Sequence, residues 1–337
     1  MASKKYDLLI IGAGICGLMA ASALRDQGLT VGVVDKGRSV GGRLATRRIG
    51  GGRADHGAQF FTVRDETFQR HVDRWIATGL VYEWSRGWSS GSSASGAPDG
   101  YPRYAVRDGM NMLAKRVAAE LSGDHNIELL LSVQISALSQ HGGDWLARDS
   151  QGESYQATTL IVTSPVPQSL AMLEAGGVQL SPDDQHDLEQ VHYAPCLCGL
   201  FHINGEVKLP DPGAVQRPKE AITWIADNQA KGISPLATLL TVHAGSVFSL
   251  NNYDADASEV LPYLRAEIEP FLGANARIQE EQLKRWRYAL PLVLHPAPFL
   301  RAAGLPPLYF GGDAFGGPRI EGAALSALAM ANEIGNI

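Results

Sequence analysis

The segment Gly12-Ala13-Gly14-Ile15-Cys16-Gly17 carries three glycines at G-x-G-x-x-G spacing. An apolar run, Tyr6 to Ile11, precedes it, and a helix-type run, Ile15 to Gln27, follows it. Gly12 permits the tight turn, Gly14 lets the backbone approach a pyrophosphate, and Gly17 lets helix and strand pack closely. Ile15 and Cys16 open the helix, where free N–H groups and the dipole favour an anion. Asp35 lies 18 residues after Gly17, at the end of a second apolar run. There a carboxylate accepts hydrogen bonds from an adenosine ribose. The chemistry is dinucleotide binding, and both NAD and FAD satisfy it.

The next segment separates the two. Lys36-Gly37-Arg38-Ser39-Val40-Gly41-Gly42-Arg43 resembles the G-G-R stretch that follows the ribose-binding acid in the amine-oxidase-like FAD superfamily. Gly41 and Gly42 allow backbone contact with a cofactor, Arg43 can neutralise phosphate charge, and Lys36 extends the binding segment. Arg53-Ala54-Asp55-His56-Gly57-Ala58-Gln59-Phe60-Phe61-Thr62 matches the same superfamily. Its D-x-G-A stretch is expected beside the isoalloxazine ring, which implies flavin contacts from His56, Gly57 and Ala58. Gln59 and Phe60 then face cofactor and substrate, while one of Phe60 and Phe61 is expected in the core. Near the C-terminus, Gly311-Gly312-Asp313 resembles the G-D motif whose Asp binds the ribityl or pyrophosphate region. Gly317-Pro318-Arg319-Ile320-Glu321-Gly322-Ala323 opens a helix. Its N–H groups could point at the flavin N1–C2=O edge and stabilise the charge of the reduced ring.

The whole chain resembles the renalase family, and especially its bacterial members. The stretches DKGRSVGGR, ADHGAQFFTVRD, YAVRDGMNMLAKRV, TVHAG, KRWRYA and FGGDAFGGPRIEGA carry the likeness, in that family's order and spacing. The resemblance implies an α/β (α+β) fold, with a glutathione-reductase-like Rossmann FAD domain and a substrate domain built on an antiparallel sheet. It implies oxidation of aberrant dihydro isomers of NAD(P), reduced at the 2- or 6-position of the nicotinamide. The hydride passes to FAD and then to O2, giving NAD(P)+ and hydrogen peroxide. It places His243 and Trp286, with Tyr288 a weaker candidate, on the open face of the flavin. Trp286 and Tyr288 alternate along a strand-like segment and so could share a face. A flat aromatic wall suits a stacked nicotinamide. Matching is thin between Val166 and Lys284, which leaves the exact substrate open.

Two other readings stand beside this one. A small-amine oxidase or a carotenoid- or porphyrin-type desaturase belongs to the same superfamily. An amine oxidase would place a Lys near flavin N5, and Lys284, expected to precede the strand, is the only nearby candidate in the C-terminal third. A flavin-binding module without turnover is the third, since a motif can hold a cofactor without a reaction.

These residues need elements to hold them. Tyr6 to Ile11 and Thr30 to Asp35 are expected as buried parallel strands, with a helix from Ile15 to Gln27 stopped at Gly28. Gly37 to Gly57 reads as a functional loop. Helices are expected over Glu66 to Thr78 and Gly109 to Leu121. Turns with short strands are expected over Tyr82 to Tyr101, including a Ser-Gly run around Gly91. Glu128 to Leu131, Gln134 to Leu138, Trp145 to Arg148 and Ser154 to Ala157 read as a small antiparallel set. Thr159 to Thr163 and Leu308 to Gly311 read as further buried strands, and Ile320 to Ile334 as a closing helix. The expected FAD domain is 1–65, 102–165 and 285–337, and the substrate domain is 66–101 and 166–284.

The 337 residues carry a net charge of -6, with no basic excess for a nucleic-acid partner. Apolar residues make up 45%, enough for a sizeable core. Three cysteines, Cys16, Cys196 and Cys198, are too few for a disulfide framework and are expected reduced in a cytoplasmic setting. Lys4, Lys5 and the run that follows mimic a secretory signal, but Asp7 and the glycine fingerprint oppose that reading. No apolar run elsewhere reaches the ~20 residues of a membrane span. The expected partners are therefore a small dihydronicotinamide and O2, with no nucleic acid or membrane. No Cys beside the C-terminal motif implies non-covalent FAD, and no ligand cluster suggests a metal.

Overall fold

A computed structural model describes residues 4–90 and 100–336. The chain divides into two compact units. Unit 1 comprises residues 1–42, 114–192 and 291–337; unit 2 comprises 43–113 and 193–290.

Unit 1 is built on a parallel sheet. Lys4–Ile11 lies between Ser154–Val162 and Val31–Asp35, and Ile127–Leu131 pairs with Val31–Asp35, all parallel. Leu308–Phe310 adds a further parallel strand against Leu160–Val162. Leu8 to Ile11 and Val31 to Val34 are buried, as strands covered on both faces must be. Helix Ile15–Leu24 is apolar on nearly every side and buried along most of its length, so it sits inside the unit. It packs against the last helix, Arg319–Gly335.

Two expectations change here. Glu128 to Leu131 belongs to the parallel sheet and not to the antiparallel set, because its residues register with Val31 to Asp35. The expected strands Ser154 to Ala157 and Thr159 to Thr163 are one continuous strand, Ser154–Val162, which keeps Lys4–Ile11 on one side along its length and changes its partner on the other side halfway. Its first half pairs antiparallel with Trp145–Arg148, and its second half pairs parallel with Leu308–Phe310. Local pattern alone reads such a strand as two, since its environment changes halfway along.

Unit 2 centres on a five-stranded sheet. Its order is Ala214–Gln216, Ile222–Asp227, Thr238–Ala244, His192–Asn204 and Arg277–Val293. Alternation sends side chains to opposite faces. Leu197, Phe201, Ile203, Leu240 and Val242 face one side and form a core with Val260 and Leu264 of helix Ala257–Ala266 and with Ile268 just beyond it. Cys198, Leu200 and Leu239 face the other side and pack on Ile49 and Ala54.

Those last two residues belong to a hairpin, Thr46–Ile49 with Gly52–Asp55, inside the segment expected as a loop. Its turn is Gly50-Gly51, with φ of 53° and 78°. Two consecutive positive φ values make the tight turn that suits the twist of paired strands. The hairpin explains why residues 43–65, expected with the dinucleotide unit, group with the antiparallel sheet instead. Residues 102–113 also fall in unit 2, and 166–192 fall in unit 1. The Ser-Gly run from 91 to 99 lies outside the described residues. Helix Glu66–Ala77 forms as expected, capped by Asp65, which accepts from Thr67 N and Phe68 N.

Candidate functional site

In unit 1 the glycine turn is tied to the second strand. The Asp35 carboxylate accepts from Ala13 N at 2.7 Å with one oxygen and from Gly37 N at 2.6 Å with the other. Each oxygen keeps a lone pair for a ribose hydroxyl. Gly41 N donates to Ala13 O at 2.8 Å. Gly42 lies over the turn, since a Cβ built on it would sit 3.7 Å from Gly14 Cα. A Cβ on Gly17 would come within 2.0 Å of Gly12 O, so only glycine permits this approach of helix to turn. A Cβ on Gly14 would meet nothing within 4 Å. That space, beside the first-turn N–H groups that lack intrahelical acceptors, fits a pyrophosphate. Lys36 is exposed and reaches Gln168 at 3.5 Å. Ile15 and Cys16 are buried and serve packing as well.

Thr163 joins the two ends of the chain. Its hydroxyl donates to Ile11 O and Gly12 O, and its carbonyl lies 3.8 Å from where a Cβ on Gly312 would stand. Gly312 N donates to Ser326 Oγ of the last helix, and Asp313 is buried next to it. Arg319 starts that helix at φ 69°, a strained conformation for a residue with a side chain. Ile320, Gly322 and Ala323 are buried behind it, with Glu321 in the same first turn. The N-terminal and C-terminal motifs therefore meet within one unit.

In unit 2 the site grows from Asp55, the last residue of the hairpin. Asp55 is fully buried and pairs with the equally buried Lys231 at 2.6 Å. Its second oxygen accepts from Thr46 Oγ1 at 2.5 Å and Met110 N at 2.8 Å. The Lys231 ammonium also donates to Gln59 O at 2.6 Å. One cation thus pins both ends of the loop that carries His56, Gly57 and Ala58. Gln59 closes the same loop by donating to Asp55 O and Gly57 O. No sequence motif marks Lys231, whose partner lies 176 residues away.

The His56 ring stacks on Trp286, with centroids 5.3 Å apart and planes 25° from parallel. Trp286 Nε1 donates to His56 O at 2.8 Å, and His243 also hydrogen-bonds to the His56 backbone. Burial pushes both imidazoles down to about 4. For His56 the charges of Lys284 and Arg47 add to that effect, and for His243 the main further contributor is His56 itself. Both rings are neutral at pH 7. His56 Nδ1 and His243 Nε2 are buried without partners.

His243 stands in a row on the hairpin-facing side of the sheet, opposite Trp224 on one strand and Cys198 on another. Burial raises the thiols of Cys196 and Cys198, which makes them unreactive at neutral pH. Lys284 was expected to precede the strand; it lies inside Arg277–Val293, two residues before Trp286 and on the same face. Burial and Arg47 lower its pKa. Tyr288 shares the alternation but packs edge-on against Tyr193, and its carbonyl accepts from Arg43 at 3.3 Å. Phe61 is buried against Phe68 and Tyr104. Phe60 is half-buried among Trp88 and Trp224. Within unit 2, His56, His243 and Trp286 therefore come together, and Tyr288 has other neighbours. The tryptophans around Phe60 lie outside every motif the sequence displays.

Among the described residues no group of His, Cys, Asp and Glu could hold a metal ion, and no helix is long and apolar enough to cross a membrane.

Comparison with known proteins supplies the family. Residues 10–75 match the NAD(P)-binding Rossmann-like domain. Residues 70–335 match the flavin containing amine oxidoreductase family. A hydroxyneurosporene desaturase from Rubrivivax gelatinosus is 36% identical over 61 residues, which are 18% of this chain and 12% of the relative's length. The fold is similar to a chain from Exiguobacterium sp. 255-15 assigned as a protoporphyrinogen oxidase, with TM-score 0.72 and 15% identity, covering 100% of this chain and 99% of the other. It is also similar to wild-type putrescine oxidase bound to putrescine, with TM-score 0.64 and 15% identity over 99% of each chain. This chain belongs to the flavin containing amine oxidoreductase family and is an FAD-dependent oxidoreductase.

Proposed function

We propose that the enzyme oxidises dihydronicotinamide isomers of NAD(P) reduced at the 2- or 6-position, consuming O2 and a proton and releasing NAD(P)+ and hydrogen peroxide. One observation carries this reading: His56 stacks on Trp286 beside His243, burial keeps both imidazoles neutral, and the cations Arg47 and Lys284 lie close enough to add to that effect at His56. The positive charge that Arg47 and Lys284 place near His56 also repels an ammonium substrate and attracts the phosphates of a dinucleotide. Loss of a hydride from the substrate ring restores its aromaticity and needs no base. An uncharged flat wall that orients the ring is then sufficient.

FAD supplies the hydride acceptor and passes the electrons to O2. Gly12, Gly14, Gly17 and Asp35 would hold its pyrophosphate and ribose. Gly42, Asp313 and the start of the last helix, Arg319 to Ala323, would complete the grip. Unit 1 is then the cofactor domain. Unit 2 supplies His56, Gln59, Phe60, His243 and Trp286 to the substrate, with His56 and Gln59 fixed by the Lys231 clamp.

The test is anaerobic mixing of the holoenzyme with 2- and 6-dihydro-NAD(P). Bleaching of the flavin absorbance within seconds supports the proposal, and an unchanged spectrum rejects it. The position of Lys284 on the same face as Trp286 favours a second reading, an oxidase of small amines. Peroxide formed from common amines, with no bleaching by the dihydro isomers, would select it.

A further inference from the structure

Beside the histidine wall, unit 2 holds an aromatic cluster that no motif accounts for. Trp88 and Trp224 meet edge to face, with centroids 4.9 Å apart and planes at 90°. Phe60 lies 5.1 Å from the first and 5.5 Å from the second. Trp84 stands 4.7 Å from Trp88, and its own N–H is committed to Pro212 O.

The other two indoles differ. Trp88 Nε1 and Trp224 Nε1 are both buried and have no acceptor. Trp224 is only 5% exposed. An indole N–H has no way to rotate its donor toward an alternative, unlike a hydroxyl. Buried donors are almost always satisfied in folded proteins, so two orphans in touching rings are an anomaly that a ligand would resolve. Gln59 supplies the complement. Its Nε2 is spent on Asp55 O and Gly57 O, which fixes the amide orientation and leaves Oε1, also buried and unpartnered, as an acceptor.

The cluster is also closed to a positively charged group. Lys231 Nζ already lies 4.9 Å from the Trp84 ring centroid, and the Arg103 guanidinium lies 5.8 Å from that of Trp88. The faces that would attract a substrate cation are taken by the protein's own charges. A positively charged ligand group is therefore disfavoured. The ligand group needs one oxygen able to accept two hydrogen bonds and one N–H to give.

We infer that Trp88, Trp224 and Gln59 form the subsite for the carboxamide of the nicotinamide ring, with both indoles donating to the carbonyl oxygen and Gln59 Oε1 accepting from the NH2. This rests on the dihydronicotinamide reading and adds the group by which the ring is recognised. Trp224 stands directly opposite His243 on the neighbouring strand, so the subsite adjoins the histidine wall.

The experiment uses 15N-indole-labelled holoenzyme. The chain has 6 tryptophans, so the indole region is sparse, and the Trp88→Phe and Trp224→Phe variants assign the two signals. NAD+ or NADP+ is expected to shift both resonances downfield. The analogue that lacks the carboxamide, pyridine adenine dinucleotide, is expected to leave them in place. Each Phe variant is expected to lose about tenfold in kcat/KM with the dihydro isomers. Resonances that move when FAD is added to apoprotein but not when nucleotide follows would overturn the inference, as would resonances that never move. If the isomers bleach the flavin while the indoles stay still and both variants keep wild-type kcat/KM, the subsite falls and the reaction stands. If the indoles move with NAD+ but no isomer bleaches the flavin, the subsite stands and the reaction falls.

Discussion

Replacing Lys231 by Met tests the clamp at the base of the histidine loop. The substitution keeps a long apolar stem and removes the ammonium. Asp55 keeps Thr46 Oγ1 and Met110 N on one oxygen, but the oxygen facing Lys231 loses its partner in a site where both side chains are 0% exposed. Removing one member of such a pair leaves an uncompensated buried charge, at a cost of about 3–5 kcal/mol. At ~2.1 cal/mol/K per residue, unfolding of 337 residues carries about 0.7 kcal/mol/K of entropy. The midpoint is then expected to fall by about 4–7 °C if the chain melts as one. Urea unfolding followed by circular dichroism, at a fixed excess of FAD, measures the loss. The double variant, Lys231→Met with Asp55→Asn, is expected to recover part of it, because no isolated charge remains. A single-variant loss under about 1 kcal/mol, or a double variant no more stable than Lys231→Met alone, would refute the clamp.

Other consequences follow from the same geometry. Gly14→Val fills the open side of the turn, and the purified protein is expected to lose its bound flavin absorbance while retaining its circular dichroism spectrum. His56 and His243 both titrate at about 4 in the fold against 6.5 when exposed. The unfolded chain therefore binds more protons between those values, and stability is full above pH 6.5 and lost as pH falls toward 4. One such histidine accounts for about 3 kcal/mol. Urea midpoints at pH 7.5 and pH 4.5 should differ less in His243→Gln than in wild type. Trp286→Phe keeps a ring but removes the bond to His56 O, and kcat is expected to drop about tenfold with the flavin still bound.

The dinucleotide unit was legible because its signals are local. Strand, glycine turn, helix and acid all fall between Tyr6 and Asp35, and each residue's reason for being there is a short-range one. The C-terminal G-D segment was legible for the same reason, although its meeting with the first turn depends on Thr163, which looks like an ordinary strand end. The hairpin at Gly50-Gly51 carried a readable two-glycine turn, which the surrounding arginines disguised as a loop. Glu128 to Leu131 is too short for its own pattern to choose between sheets, and only its partner strand makes it part of the parallel sheet. Lys231 and Trp224 were not legible at all. A lysine in a turn and a tryptophan in a strand have no pattern of their own. Their meaning comes from Asp55 and His243, far away in the chain and adjacent only after folding.

The central claim is that the uncharged wall of His56, His243 and Trp286 receives a misreduced nicotinamide ring. Stopped-flow absorbance of the holoenzyme without oxygen, mixed in turn with 2-dihydro-, 6-dihydro- and 4-dihydro-NAD(P) and with putrescine, measures it most directly. The account predicts rapid bleaching of the flavin by the 2- or 6-isomer and none by putrescine. Bleaching by putrescine, with both isomers inert, would contradict it.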